Sequence, residues 1–121
     1  MMMRRVTSTL EAVNSGMNYA MLLEKADVYD WKDGKRVSDT PIGVRLTLAL
    51  PGARMLTLPV KFPLDPLPKL TDEKIEEATA SCNFLFVQIP DCIVTLYNKD
   101  SGIGMTATAE TAQIVTLNNS K

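Results

Sequence analysis

Between residues 42 and 62 the apolar side chains fall at every second position, twice, on either side of Pro51-Gly52. In IGVRLTLAL, Ile42, Val44, Leu46, Leu48 and Leu50 share one face, while Gly43, Arg45, Thr47 and Ala49 share the other. MLTLPVKF repeats the pattern, with Leu56, Leu58, Val60 and Phe62 opposed to Met55, Thr57, Pro59 and Lys61. A period of two is that of a strand with one face on a core, and Pro-Gly marks the turn between two such strands. An antiparallel hairpin is therefore predicted, with Arg45 and Lys61 on its outer face. Pro59 has no amide proton to give a ladder, which predicts an edge position or a bulge.

The rest of the chain is organised around this hairpin. Residues 1–18 are polar and rich in Ser and Thr and read as an N-terminal arm. From Tyr19 to Trp31 the chain alternates and carries β-branched or aromatic residues, a first strand closed by Asp33-Gly34. Asp-Gly favours a tight turn in which both residues reach positive φ. PLDPLPK, residues 63–69, is a proline-rich connector. A helix is predicted over about 71–83, capped by Thr71, with Asp72 and Glu73 in its first turn, Leu70 stapled onto Ile75, and a stripe of Ile75, Ala78, Thr79 and Cys82. FLFVQI (84–89) is apolar on both faces, as in a buried strand or one meeting a second subunit. CIVTLYN, a turn at KDSG (99–102) and IGMTATAETAQIVTL complete the chain. Five strands with the helix between the third and fourth is the order of an OB-fold, a partly open Greek-key barrel. The expectation is a mainly β chain with one such domain over residues 19–121; another small β-barrel or an α+β sandwich is the alternative.

Composition removes whole classes of chemistry. The chain has no histidine, so Ser-His-Asp and Cys-His sites and the usual zinc sites are excluded. No GxxxxGK[ST] or GxGxxG stretch offers a phosphate cradle. Cys82 and Cys92 lack CxxC spacing and are expected to be reduced, buried thiols. No apolar run approaches the roughly 20 residues that span a bilayer, and the first 16 residues have no apolar signal-peptide core. A cytoplasmic protein that is not an enzyme, with no cofactor and no metal, is expected.

A net charge of −1 conceals a separation. Residues 1–69 hold ten Lys/Arg against seven Asp/Glu, and residues 70–121 hold three against seven, so +3 faces −4. The basic half contains VYDWKDGKRVSD, where Tyr29, Trp31, Lys32, Lys35 and Arg36 crowd one turn. In an OB-fold, ligands lie across strands two and three and between the loops joining strands one–two and four–five. This turn is the first of those loops, and the KDSG turn, flanked by Tyr97 and Lys99, is the second. Aromatic rings stack on exposed bases while Lys and Arg follow phosphates, a combination that binds single strands without a sequence code. Taken alone, Lys32, Lys35 and Arg36 could be neutralised by Asp30, Asp33 and Asp39, and Trp31 could be core.

DVYDWKDGKRVSDTPIGVRLTLALP, LTLPVKF and VTLYNKDSGIGMTATAETAQIV together resemble the small single-stranded DNA-binding proteins of lactococcal phages and related mobile elements of Gram-positive bacteria. The resemblance implies an OB-fold, DNA replication or recombination in the host cytoplasm, and self-association, a dimer first. It carries over Tyr29, Trp31, Lys32, Lys35, Arg36, Arg45, Lys61, Tyr97 and Lys99 as DNA contacts. Replication or recombination proteins are the implied partners. The chain ends at LNNSK rather than in the acidic tail by which larger bacterial proteins of this function recruit partners, so recruitment by that route is not expected. Two other functions fit the same pattern: a β-barrel protein-interaction or assembly module, and an RNA binder, the latter lacking the aromatic motifs of cold-shock and RRM proteins.

Overall fold

Alternation of apolar side chains is satisfied only when one face of the hairpin meets a core, and this is how the segment folds. In a computed structural model, which describes residues 5–99 and 102–115, β5 (Gly43–Leu50) and β6 (Leu56–Phe62) pair antiparallel from Val44↔Phe62 to Leu50↔Leu56. Val44, Leu46, Leu48, Leu50, Leu58, Val60 and Phe62 are buried. Ile42 and Leu56, predicted for the same face, lie just outside and at the end of the strands and are 58% and 52% exposed.

The remaining elements are β1 (Arg5–Thr9), α1 (Leu10–Val13), β2 (Tyr19–Val28), β3 (Trp31–Lys32), β4 (Lys35–Arg36), α2 (Asp72–Ala80), β7 (Leu85–Gln88), β8 (Ile93–Lys99), β9 (Gly102–Thr108) and β10 (Gln113–Val115). The chain is mainly β, as expected, but it is not a five-stranded barrel. Eight strands form one mixed sheet in the order β1-β8-β9-β6-β5-β2-β7-β10, and β3 and β4 form a separate ribbon. Three expectations change. The predicted first strand divides into β2 and the ribbon. The predicted last strand divides into β9 and β10. Residues 5–13 of the supposed arm form β1, which pairs with β8, and α1, which buries Leu10.

Pro59 is not on an edge strand: β6 lies between β5 and β9. The parallel β6–β9 register covers only Val60↔Ala107 and Lys61↔Thr108, so the proline stands just before that pairing begins. The sheet cannot be flat. β8 and β7 are five strand spacings apart in the sheet, about 24 Å if laid flat, yet the chain from Gln88 to Ile93 reaches at most about 18 Å. It therefore curls, and one hydrophobic cluster, from Leu10 and Leu22 through Leu46 and Val60 to Val87 and Val94, fills its concave side. Among the described residues no pairing joins β1 to β10, so no barrel closes.

Polar side chains pin the connections. Asn14 is wholly buried; its amide donates to the carbonyls of Met17 and Tyr19, and its Oδ1 accepts from the Gly52 amide. Lys25 is on the inner side of β2 after a bulge between Leu22 and Glu24. Its ammonium donates to Asp65 at 2.8 Å and to the carbonyls of Leu67 and Leu70, anchoring the proline connector. Thr71 caps α2 by accepting from the Lys74 amide, and Leu70 and Ile75 both join the core. After the Ser81 C-cap the chain turns left-handed at Cys82 (φ 60°), which leaves that thiol exposed rather than buried as expected. Cys92 is buried, and burial, with the charges of Asp91 and Glu11 behind it, pushes its thiol up to about 12.

Candidate functional site

A Trp, two Lys and an Arg stand together because a two-residue turn has room for no core. β3 and β4 pair Trp31↔Arg36 and Lys32↔Lys35 around Asp33 (φ 53°) and Gly34 (φ 79°), the two positive φ angles that the Asp-Gly step predicts. The ribbon is held at its base by the Ile42 amide on the Val28 carbonyl and the Val37 amide on the Asp30 carbonyl. Every residue from Asp30 to Ile42 is exposed.

Alternation gives the ribbon two faces. Trp31, 60% exposed, and Arg36 share one face with Tyr29. The Arg36 guanidinium lies 3.8 Å from the Tyr29 ring centroid and 5.9 Å from that of Trp31, so it is stacked between two aromatic groups. Lys32 and Lys35 stand directly opposite one another on the other face. Of the alternative, neutralisation by Asp30, Asp33 and Asp39, one contact is present among the described residues, Arg36–Asp39 at 4.0 Å between exposed groups. Such a pair contributes little.

Arg45 and Lys61 are directly opposed on the outer face of β5 and β6. Arg45 is 3.8 Å from Glu24, which also accepts from the Thr47 hydroxyl. Among the described residues Lys32, Lys35 and Lys61 have no ion-pair partner. The row through Arg45 and Lys61 continues across Thr108 and Ile93 to Thr9, and the next outer position on β8 and β9 pairs Thr95 with Thr106.

Tyr97 is farther off. It is on the same outer face of β8 but four residues beyond Ile93, roughly 13 Å along the strand. Its half-buried ring lies over Gly104, where any side chain would collide with it. The structure thus gathers Tyr29, Trp31, Lys32, Lys35 and Arg36 at one end of the sheet, near the Arg45–Lys61 row, and leaves Tyr97 toward the other end. Lys99 pairs through its backbone with Gly102, and its side chain lies outside the described residues.

Sequence reasoning missed the floor between ribbon and sheet. Val28, Ile42, Gly43, Lys61, Phe62, Pro63 and Thr108 line a hollow of about 210 Å³ at the base of the ribbon. Ile42 was assigned to the core by its parity, and Thr108 carried no signal. Among the described residues no group of three or more His, Cys, Asp or Glu is arranged to hold a metal, and no helix is long and apolar enough to cross a membrane. Comparison with known proteins gives no match: no family model, curated protein or solved structure aligns significantly with the chain.

Proposed function

We propose that this protein binds single-stranded DNA without reading its sequence, through the ribbon and the outer face of β5 and β6, and that it is not an enzyme. The observation that carries this is the presence of two directly opposed like-charged pairs, Lys32–Lys35 and Arg45–Lys61, beside an exposed tryptophan. Like charges opposite each other destabilise a ladder. A backbone phosphate between them reverses the sign of that interaction, and Trp31 offers a face for a base.

The connectivity supports an OB-type reading. β2, β5 and β6 are consecutive neighbours, α2 follows β6, β9 runs parallel to β6, and β8 completes the order. In that reading β2, β5, β6, the β7–β8 pair and β9 take the places of OB strands one to five, and ligands take strands two and three with the one–two loop. Lys32, Lys35, Arg36, Arg45 and Lys61 then hold phosphates, with Tyr29, Trp31 and Tyr97 stacking. A role in phage replication or recombination, in the host cytoplasm, rests on the sequence resemblance.

Titration with a short oligothymidylate tests the proposal. Trp31 is the single tryptophan, and stacking is expected to quench its fluorescence. Trp31→Ala should cost about 1–3 kcal/mol of binding with an unchanged salt slope, whereas Lys35→Ala should lower the log–log salt slope by roughly 0.7. Unchanged fluorescence at saturating oligonucleotide, with neither variant altered, would sink the proposal.

One OB-type domain covers only about 4–16 nucleotides, so repetition of the site gains affinity. A dimer is the expected assembly, and a 13.3 kDa particle in light scattering at high micromolar concentration excludes it. The competing protein-interaction reading is favoured by Val6 and Ile93, 59% and 53% exposed on β1 and β8. Retention on single-stranded DNA that does not respond to salt, or no retention, would select it.

A further inference from the structure

We propose that the hollow at the base of the ribbon takes one nucleobase of the bound strand, separate from the base stacked on Trp31, with the adjoining phosphodiester on Lys61. This rests on the single-strand-binding reading and gives that site a second base position. Gly43 stands at an outer-face position beside Val28, where a Cβ would collide with the Phe62 carbonyl, so only glycine lets the backbone of Phe62 and Pro63 come close enough to wall the hollow. Its walls are apolar, from Val28, Ile42, Phe62 and Pro63, and Thr108 closes one side. Its volume of about 210 Å³ suits one planar ring system and falls short of the roughly 300–1,000 Å³ that receives a drug-sized ligand.

Charge decides the occupant. The lining contains Lys61 and no acid, and Arg45 stands beside Lys61 in the next strand. An apolar recess with a lysine at its rim matches a flat, weakly polar base attached to an anionic backbone. Ile42 is more than half exposed although large and apolar. A base in the hollow would cover it.

The experiment uses oligothymidylates carrying one abasic residue, moved position by position, against the parent protein, Ile42→Ser and Trp31→Ala. Ile42 is exposed, so its substitution leaves folding intact, which a thermal melt verifies. For the parent, loss of a base should weaken binding on the order of tenfold at two separate positions. Ile42→Ser should abolish the penalty at one position and Trp31→Ala at the other. Lys61→Ala should reduce the salt slope by roughly 0.7.

A single sensitive position that responds to Trp31→Ala alone overturns the second base site and leaves the proposed function standing. No binding by the parent overturns both. If Ile42→Ser leaves DNA affinity unchanged but alters the mass in solution, the hollow receives a side chain from another copy, and the proposal fails.

Discussion

Lys25 shows what one residue can hide. Nothing local in YAMLLEKADV marks it, yet its side chain is only 11% exposed and donates to Asp65 and two carbonyls. The bulge after Leu22 puts it on the inner side, where the connector passes. Lys25→Met should destabilise the protein by about 2 kcal/mol in urea denaturation, since hydrogen bonds to a charged group are lost and acceptors are left half-buried. A change below about 0.5 kcal/mol would show that the connector anchors itself. Asn14 is a parallel case. An Asn before Ser-Gly suggests a turn, and the buried amide that bridges Met17, Tyr19 and Gly52 appears only when distant segments meet.

At the scale of elements, the ribbon sets folding against binding. Lys32 and Lys35 repel across β3 and β4, whereas Arg36 stacks on Tyr29 and holds the aromatic face in place. Lys32→Thr or Lys35→Thr should leave the melting temperature unchanged or higher, because an opposed like-charged pair costs up to about 1 kcal/mol. The same variants should bind oligothymidylate more weakly and with a shallower salt dependence. Parallel melts and titrations check this, and a loss of stability in both variants would mean the lysines are structural. The Asp-Gly turn was legible because positive φ at two successive residues is a local demand. The hairpin of β5 and β6 and helix α2 were legible for the same kind of reason, through alternation and capping. The division of strand one was not. Residues 29 and 30 keep the alternating pattern while the backbone leaves the sheet.

Across the whole molecule, the corner between β7 and β8 is tied by Asp91 to the segment between β9 and β10. Desolvation is the largest single influence on the Asp91 carboxylate and raises its pKa, but hydrogen bonds from the Glu110 amide and from the Thr111 amide and hydroxyl together outweigh it and lower the pKa. A lowered folded pKa means that the contribution is present above the ordinary carboxylate value of 3.8 and lost as pH falls through the folded value. Asp91→Asn should therefore be less stable than the parent at neutral pH, with the difference closing only below about pH 3.8. Denaturation across pH 2–7 reads this, and a gap that persists undiminished at the acid end assigns the effect to something other than the charge. By itself the sequence determined the mainly β character, the hairpin, the capped helix, the tight turn and the clustering of cations with aromatics. Each follows from spacing or composition within a few residues. Only the tertiary structure decided that residues 5–9 join the sheet, that β9 and β10 are separate strands, that Cys82 faces solvent, and that a hollow lined in part by Gly43 lies beside Lys61. Those outcomes depend on pairing between segments far apart in the chain, and local periodicity carries no record of which strand a given strand will meet.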